Sequence, residues 1–566
     1  MPALLRCGLV ALVGCLLWMN ASVATAQQSG LPFINSDLHL LIDRYQTRGV
    51  LPGAPSFHRP LRAEHAQVLL DSLAAHAPLS PTEQRTIDRM RHEEPAPGAR
   101  WLNRQWSALY PNGQNLIHAS GDGYRVTFDP LYDGYVGPIS HAGEDPRAAD
   151  LAWRNTRGVR VAGHVGLIYF NTIATENQQQ DLRNDFQINN GGRKGTAPRV
   201  GFVLQSPDDT IYDYFDATGI VGVGMSVLDI QFGRTYRHWG YGMNSLVLSN
   251  YASPHDQLQI QATYGAFSYT TMFSRFIDAT RVSSQRGVGD AVQPRRYAAF
   301  HRLAFNASDR LSFGLFEATV FARRQSPGAP PKRLQASYLN PIMLIRTVES
   351  AAGGPHNVIT GFDAQWRPID GLSAYTQLAL NDWSLQHLGT DHWKNQWAGL
   401  VGIHLAPGRA SAWSMRLEGS RIRPFFYTGQ FEFDTFAHYG DGIGHSAGPN
   451  SYDISTRLDY RPSNRWRAGL WYHRTWRGRG TEERNVGADL RRSTDTRIGD
   501  QATMLQGIRQ VEDGLDVPVG YELLPALFVD AQLRVLRVDD AEEELDSFVA
   551  PTLGIRWGVP FQSRRF

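Results

Sequence analysis

The chain contains almost no cysteine and almost no lysine. Its only two cysteines, Cys7 and Cys15, fall within the first fifteen of its 566 residues. The rest of the chain therefore cannot form a disulfide. Lysine occurs only at positions 194, 332 and 394, so 53 of the 56 basic residues are arginine. The planar guanidinium group of arginine can form paired hydrogen bonds with carboxylate, sulfate or phosphate groups of an acidic ligand. A GC-rich genome would give the same composition.

The first 26 residues have the pattern of a secretory signal peptide. Arg6 supplies the positive n-region, residues 9–19 form an apolar h-region, and the small residues A-T-A at 24–26 form a cleavage site. Cleavage near Ala26 would start the mature chain near Gln27. The residues L-V-G-C at 12–15 also resemble a bacterial lipobox, which would place a lipid on Cys15. The apolar run continues past Cys15, and this favours the signal peptide.

Long hydrophobic runs are absent after the signal segment. No apolar run reaches 18 residues, so the sequence offers no transmembrane helix. The mean hydropathy is −0.35, yet 11% of the residues are aromatic and 54 are glycine. In an outer-membrane β-barrel, lipid-facing and lumen-facing residues alternate, so that the hydropathy profile stays low. An exported, cysteine-free and aromatic-rich chain is typical of that class.

Residues 27–98 have the pattern of a small helical bundle. Ser36 can cap a first helix whose apolar positions 38, 41, 42 and 45 follow the 3–4 spacing. A second helix is predicted over about 61–75, with Val68, Leu69 and Leu73 on one face. A third begins at Ser80-Pro81, where Ser80 and Glu83 form a capping box.

From about Trp101 the period of the apolar residues changes from 3.6 to 2. Apolar and polar residues alternate over 258–264, 452–460, 466–472 and 527–535. Each segment is about nine residues long, which is the length that a tilted strand needs to cross a bilayer. A soluble β-sandwich alternates too, but here the polar face is charged on many strands. That favours a polar lumen over a solvent-exposed face.

The connections and the chain length predict the number of strands. Tight turns such as 461–464 are typical of the periplasmic side, and long polar connections such as 177–196 and 478–500 of the extracellular side. At about 25 residues for each strand with its connection, residues 99–566 predict an all-β transmembrane antiparallel barrel. It has about 18 strands and lies in the bacterial outer membrane.

The C-terminus ends on Phe566, as is expected of barrels inserted by the outer-membrane assembly machinery. The last alternating stretch places Leu553, Ile555 and Trp557 at odd positions, whereas Phe566 is even. Either Pro560 breaks the register or the final residues extend beyond the last strand.

Four stretches carry motifs of moderate specificity. They are Phe232-Gly233-Arg234 followed by 238–254 (HWGYG, then SLVLSNYASP), Asn340-Pro341, 416–429 (RLEGSRIRPFFYTG), and 438–452 with its glycines, Pro449 and Asn450. Together they resemble the capsule assembly protein Wzi family. The order of a helical segment and then a barrel agrees, and the resemblance covers nearly the whole mature chain.

The resemblance implies an 18-stranded outer-membrane barrel whose periplasmic end is closed by the helical bundle. It implies a lectin-like protein, neither enzymatic nor cofactor-dependent, that binds and helps anchor or assemble capsular or other surface polysaccharide. The expected partners are that polysaccharide, outer-membrane lipid and, through Phe566, the barrel assembly machinery. No nucleic acid is expected as a partner.

Two groups of residues are candidate polysaccharide-binding sites. The first is Arg234, His238, Trp239 and Tyr241, and the second is Arg421, Arg423 and Tyr427. An aromatic face can stack on the C–H groups of a sugar ring while Arg or His binds hydroxyl or carboxylate oxygens. The structural alternative for the first group pairs Arg234 with a lumen carboxylate and places Trp239 in the membrane-interface girdle.

Residues 444–448 (GHSAG) match the G-x-S-x-G pattern of a hydrolase nucleophile elbow around Ser446. That elbow needs a strand before the serine and a helix after it. Glycines at 440, 442, 444 and 448 and Pro449 predict a loop instead, so no catalytic serine is expected. His438, Asp441 and His445 share this loop; we expect them to be solvated and predict no metal site.

Two other functions remain open from the sequence. A polar, charged lumen is also what a passive outer-membrane channel requires, although a helical plug argues against an open pore. The hypothesis of an outer-membrane hydrolase depends on Ser446 alone.

Overall fold

The computed structural model describes most of the chain from residue 37 onward. The described residues are 37–51, 58–59, 63–76, 79–90, 110, 115–141, 150–180, 187–188, 194–197, 201–205, 211–278, 295–322, 356–381, 385–387, 389–408, 411–524, 526–542 and 546–559. The predicted signal peptide with its lipobox, the change of period at Trp101, the Asn340-Pro341 motif, Pro560 and Phe566 lie outside these residues.

Three helices lie where the sequence predicts them. Helix α1 spans Asp37–Thr47, α2 Ala63–His76 and α3 Pro81–Met90. The capping box of α3 is present, because the Glu83 amide donates to Ser80 Oγ at 3.2 Å and the Ser80 amide to Glu83 Oε2 at 3.0 Å. No helix in the described part of the chain is long and apolar enough to cross a membrane.

The helices share a small apolar core. Leu41, Ile42 and Tyr45 of α1 pack with Leu69 and Leu73 of α2. The predicted face of α2 is wrong at one position, since Val68 is 62% exposed whereas Leu70 is buried. On a helix with 3.6 residues per turn, position 73 lies between positions 69 and 70 around the axis, whereas position 68 lies on the other side of position 69, away from this face.

In the described part of the chain, eighteen antiparallel strands close into a barrel and are numbered here in chain order; four shorter strands, Ile117–Gly121, Gln187–Ile188, Lys194–Ala197 and Gly201–Gln205, add to the same sheet. The eighteen numbered strands are β1 Tyr124–His141, β2 Asp150–Val165, β3 Ile168–Gln180, β4 Ile211–Gly224, β5 Leu228–Thr235, β6 His255–Tyr264, β7 Phe267–Ile277, β8 Arg295–Ser308, β9 Leu311–Ala322, β10 Asn357–Ile369, β11 Leu372–Leu380, β12 Trp397–Leu405, β13 Trp413–Ile422, β14 Ser451–Tyr460, β15 Trp466–Arg479, β16 Ile508–Leu524, β17 Leu527–Asp540 and β18 Asp546–Trp557.

The barrel closes where β18 pairs with β1, with Trp557 opposite Tyr132. The predicted fold class and the number of strands are confirmed. The predicted strand length is wrong for many strands, since they run from 8 residues in β5 to 18 in β1. Strands longer than about eleven residues exceed what a tilted strand needs to cross a bilayer, so their ends reach beyond the apolar band.

Connections of two lengths alternate around the barrel. At one end, here the short-turn end, strands are joined by tight turns such as 165–168 and 264–267. At the other, the long-connection end, β3 and β4 are joined through 181–210 and β15 and β16 through 480–507. The predicted loop at 177–196 begins later than expected, because β3 continues to Gln180.

Side chains alternate between the lumen and the outer face. Along β14, Asp453 and Arg457 are buried and point inward, whereas Ile454 is 44% exposed and points outward. Phe232, Leu553 and Ile555 are likewise apolar and exposed on the outer face. This period-2 pattern explains why a chain with a low mean hydropathy forms a membrane-spanning barrel.

Candidate functional site

Two long connections fold back into the barrel instead of extending away from it. Inner loop one comprises residues 236–254, between β5 and β6, and inner loop two comprises residues 423–450, between β13 and β14. Both contribute to an apolar cluster with inward-facing residues of the wall, such as Met272 and Phe300. The resemblance motifs at 238–254 and 438–452 lie almost entirely in these loops.

Inner loop one folds on itself around Trp239. The Trp239 amide donates to the Leu248 carbonyl at 2.9 Å, and the indole meets the Phe300 ring edge-on at a centroid distance of 5.7 Å. His238 and Trp239 also form a short antiparallel pair with His58–Arg59 from the N-terminal region. The loop is therefore held by the barrel wall on one side and by the N-terminal segment on the other.

Glu418 on β13 anchors the tip of inner loop one. Its Oε1 accepts hydrogen bonds from the amide of Asn244 at 3.0 Å and from the side-chain nitrogen of the same residue at 2.8 Å. Its Oε2 accepts from the Met243 amide at 2.8 Å and from the Tyr375 hydroxyl at 3.0 Å. Four donors satisfy the two oxygens of this buried side chain, which is the condition under which a polar group is stable inside a protein.

The two inner loops are bonded to each other. The Tyr427 hydroxyl donates to the Leu246 carbonyl at 2.8 Å and accepts from the His445 amide at 3.0 Å. The Ser249 amide donates to the Ile443 carbonyl at 2.9 Å. Tyr427 is fully buried, so this contact is shielded from water.

The G-x-S-x-G stretch forms a turn of inner loop two, as the sequence predicts. Ser446 Oγ donates to Asn244 Oδ1 at a long 3.4 Å. A side chain at Gly444 would place its Cβ 2.4 Å from the Tyr427 hydroxyl, and Gly448 has a φ of +67°. Here glycine allows close packing and a left-handed turn.

The expectation that the histidines of this loop are solvated is wrong. His438 and His445 are each 1% exposed. His438 Nδ1 accepts from the Ile277 amide at 3.0 Å, and its Nε2 lies 3.2 Å from the Pro254 carbonyl. His438 therefore joins inner loop two to β7 and to inner loop one.

Helix α1 is seated at the short-turn end by a buried ion cluster. Asp43 Oδ2 lies 2.5 Å from both Arg59 and Arg416, and Arg416 points inward from β13. Burial raises the pKa of the Asp43 carboxyl, but the two guanidinium groups outweigh it and hold this pKa well below its ordinary value. Asp43 is therefore ionised at neutral pH.

The barrel also satisfies the C-terminal carbonyls of α1. Arg367 Nη1 donates to the Gln46 carbonyl at 2.6 Å, and the Gly371 amide to the Thr47 carbonyl at 2.8 Å. Thr47 Oγ1 lies 2.7 Å from His404 Nδ1. The last turn of a helix leaves carbonyls without helical partners and favours a nearby cation, and the barrel supplies both donors and charge.

The first predicted site is divided by the structure. His238, Trp239 and Tyr241 are buried inside the barrel at 1%, 0% and 6% exposure. Arg234 lies on the outer face of β5, as does the exposed Phe232. The Arg234 guanidinium is 3.9 Å from the Asp256 carboxylate. The structural alternative paired Arg234 with a lumen carboxylate and placed Trp239 in the girdle. Both placements are wrong, because the carboxylate near Arg234 is that of Asp256 on the outer face, and Trp239 lies inside the barrel.

The second predicted site is divided as well. Arg421 lies on the outer face of β13, next to the rings of Trp397 and Tyr452, whereas Tyr427 is inside the barrel. Arg423 is buried, and its guanidinium donates to Asp391 at 3.2 Å and to the Ala502 carbonyl at 3.1 Å. Arg423 therefore ties together three connections at the long-connection end.

A group of aromatic and basic side chains covers these tied connections. We call it the loop cluster: His387, His392, Trp393, Lys394 and Arg497. The two imidazole rings stack at 3.8 Å, and the Arg497 guanidinium lies 4.0 Å from the centre of the Trp393 ring. The connections are joined beneath them, since the Trp393 amide donates to the Asp500 carbonyl at 2.9 Å.

Sequence reasoning missed the loop cluster and the role of Glu418. Four of its members lie within residues 387–394, but Arg497 comes about a hundred positions later, so local spacing could not reveal the whole cluster. Glu418 had a signal: it alternates in phase with Arg416 on the inward face of a strand. A charged residue at such a position requires either water or a protein partner inside the lumen.

These features define a class: a transmembrane β-barrel whose lumen holds its own inward-folded connections and is joined to an N-terminal helix. The sequence profile described as "Capsule assembly protein Wzi" matches residues 156–539, which is more than half of the chain. The chain belongs to the capsule assembly protein Wzi family. No curated protein matches it significantly.

Several solved structures are similar to this chain. The Escherichia coli outer-membrane protein Wzi, described as a carbohydrate-binding β-barrel involved in group 1 capsule assembly, matches with a TM-score of 0.54 and 16% identity over 94% of this chain and 100% of that one. OccD1 (OprD) matches with a TM-score of 0.41 and 12% identity, over 77% of this chain and 97% of that one. Pseudomonas aeruginosa OccK8 (OprE) matches with a TM-score of 0.39 and 10% identity, over 77% of this chain and 97% of that one.

Proposed function

We propose that this protein is an outer-membrane barrel that binds capsular or other surface polysaccharide and helps anchor or assemble it at the cell surface. Membership of the Wzi family carries the proposal. The carbohydrate binding described for the Escherichia coli protein supports it, because that barrel has the same fold.

The loop cluster is the surface that we assign to polysaccharide binding. It lies at the long-connection end, which faces outward in a barrel with short periplasmic turns. Trp393 offers an aromatic ring, and Lys394 and Arg497 offer donors for carboxylate or hydroxyl oxygens. Binding by the seven residues named from the sequence stays a prediction; four of them, His238, Trp239, Tyr241 and Tyr427, could reach a sugar only after the inner loops move.

The first experiment measures how surface polysaccharide divides between cells and medium. The gene is deleted and then restored as wild type, as Trp393→Ala with Lys394→Ala, or as the control Trp413→Ala. Trp413 is also partly exposed but begins β13 at the short-turn end. Release into the medium by the deletion and the double variant, with retention by the control, supports the proposal. An unchanged partition in the deletion strain would overturn it.

The proposal includes a lectin-like, non-enzymatic role. Ser446 donates its hydroxyl to an amide oxygen and lies in a turn without the strand and helix of a nucleophile elbow. It also includes export with cleavage near Ala26 and recognition of the C-terminal strand and Phe566 by the barrel assembly machinery. N-terminal sequencing of the mature protein and truncation of Phe566 test these two parts.

We further propose that residues 27–98 form a periplasmic plug of a barrel comprising 99–566. The contacts of Asp43, Gln46 and Thr47 with the barrel wall support this role. The competing function is a passive channel, which the polar lumen favours. Planar-bilayer conductance of the full chain and of a form lacking residues up to Glu94 separates the two. A plug predicts current only from the shortened form, whereas current from both forms supports a channel.

A further inference from the structure

A groove runs along the outer face of the barrel near the long-connection end. It crosses strands β12 to β15 and has a volume of about 550 Å³. Its lining is mostly apolar and comes from Gly399, Val401, Gly419, Arg421, Tyr452, Ile454, Trp476 and Leu505, with Ser420 and Asp453 at its floor. Because these strands form the wall of the barrel, the groove opens toward the membrane.

Two glycines create the groove. A Cβ at Gly399 would have the Trp397 ring as its nearest neighbour, at 3.7 Å, and a Cβ at Gly419 would be 3.8 Å from the Asp453 carbonyl. Neither glycine adopts a positive φ, so the backbone does not require glycine at these positions. Val401 on β12 and Ile454 on β14 flank Gly419 in the strand register, so the missing side chains leave a channel between them over β13.

Arg421 stands at the upper rim of this channel among aromatic rings. Its guanidinium lies 5.0 Å from the centre of the Trp397 ring and 5.6 Å from that of Tyr452. In the strand register Gly399, Arg421, Tyr452 and Trp476 form one row across the four strands. This row has the composition of an interfacial girdle, with one cation placed in it.

Several other arginines on the outer face have carboxylate partners. Arg157 lies 2.9 Å from Glu176, Arg474 lies 3.7 Å from Asp513, and Arg275 pairs with Asp256. Arg421 forms no ion pair with any residue that the structure describes. A cation beside an apolar groove at a membrane interface is stabilised most by an anionic group of the surrounding lipid.

We propose that the groove binds lipid A of the outer leaflet, with one acyl chain lying over Gly399 and Gly419 and a phosphate on Arg421. The dimensions and apolar lining fit a hydrocarbon chain, and the guanidinium fits a phosphate through paired hydrogen bonds. Tyr452 and Trp476 offer ring faces to the sugar units of this glycolipid. The choice of leaflet rests on the outer-membrane location proposed above, but the site does not depend on polysaccharide binding.

Native mass spectrometry of the full chain in detergent tests the site. Lipid A is added to the wild type, to Arg421→Gln and to Gly419→Leu, and phosphatidylglycerol is added in parallel. The matched controls are Arg157→Gln, an outer-face arginine elsewhere on the barrel, and Ala531→Leu, which adds the same side chain at an exposed outer position of β17. Heat-modifiable gel mobility shows that each variant has folded.

The wild type is expected to retain lipid A in preference to phosphatidylglycerol, and both controls to match it. Arg421→Gln is expected to bind lipid A on the order of tenfold more weakly through loss of a charge-assisted contact. Gly419→Leu is expected to lose the bound lipid, because its side chain fills the channel. The two variants remove different features, so one remains informative if the other does not fold.

Three results would overturn the assignment. They are undiminished lipid A binding by both variants, equal retention of phosphatidylglycerol, and a dimer of the chain that Gly419→Leu disperses. The last result would assign the groove to a second copy of the protein. The assay contains no polysaccharide, so a loss of glycan retention in cells with intact lipid binding counts against the proposed function alone.

Discussion

The carboxylate of Asp43 on helix α1 lies 2.5 Å from the guanidinium of Arg416 on barrel strand β13, although 373 residues separate them in the chain. Arg59 binds the same oxygen at 2.5 Å. One buried acid therefore neutralises a cation from the barrel and a cation from the N-terminal segment, and helix α1 is held to the wall by charge as well as by packing.

Asp43→Asn is expected to loosen the helical segment from the barrel. The variant leaves two buried guanidinium groups facing a neutral amide, and breaking a buried ion pair from one side costs about 3–5 kcal/mol. Limited proteolysis between α1 and β1 measures the effect. Asp71→Asn, on an exposed face of α2, is the control and is expected to digest like the wild type. Equal digestion of all three proteins would show that the ion cluster does not hold the helix.

Glu418→Gln is expected to release the tip of inner loop one. One of the two carboxylate oxygens becomes an amide NH₂ that faces an N–H or O–H donor, so at least one buried donor loses its acceptor, at a cost of about 1–3 kcal/mol for each unsatisfied group. Thermal unfolding in detergent and proteolysis within 236–254 check this. Glu482→Gln in an exposed connection is the matched control. A melting temperature equal to that of the control contradicts the role assigned to Glu418.

The stability of inner loop two is expected to depend on pH through Asp434. Burial raises the pKa of this carboxyl to about 7, despite the hydrogen bond from the Phe431 amide and the nearby Arg296 guanidinium. The folded state then holds a proton that the unfolded state releases near its ordinary value of 3.8. The contribution of protonated Asp434 to the free energy of unfolding is therefore fully present below about pH 4. It is lost as the pH rises through about 7.

Asp434→Asn tests this dependence, because an amide cannot titrate. The melting temperature of the wild type is expected to fall between pH 5 and pH 8, and that of the variant to fall less. Each pKa unit corresponds to about 1.4 kcal/mol, so the difference is of the order of a few kcal/mol. Parallel curves for the two proteins would mean that Asp434 does not titrate in this range.

Ser446→Ala is expected to leave polysaccharide retention unchanged and stability within about 0.5 kcal/mol, because its hydrogen bond is long and weak. Gly444→Ala, two residues earlier, is expected to destabilise the barrel, since the new Cβ would overlap the Tyr427 hydroxyl. Retention and melting temperature measured for both variants separate a packing role of this loop from a catalytic one. Loss of retention in folded Ser446→Ala protein would reopen the hydrolase hypothesis.

Local patterns predicted the elements well. The capping box at Ser80 and Glu83 and the alternation along 452–460 act over a few residues, so they can be read without knowledge of the fold. Val68 was misplaced because a helical face seen from sequence is ambiguous by one position when apolar residues adjoin. Strand lengths were underestimated because a strand ladder can continue past the membrane, where the alternation no longer depends on lipid.

The candidate site was predicted only in part. The motifs around Trp239 and Tyr427 do identify one connected region, since Tyr427 binds the Leu246 carbonyl. Their exposure could not be inferred, because sequence patterns do not show whether a long connection extends outward or folds into the lumen. Arg234 and Arg421 lie on the opposite face from this region, and their face depends on the register of strands that the motifs did not fix.

By itself the sequence determined a closed barrel of about eighteen strands with charged side chains inside, because a period of two fixes which residues share a face. Only the tertiary structure decided what those inward charges meet. Glu418 accepts from a loop 174 residues earlier, and Arg416 meets a helix 373 residues earlier. Such pairings depend on the shape and hydrogen-bonding groups of distant segments once the barrel has closed, and no local period encodes them.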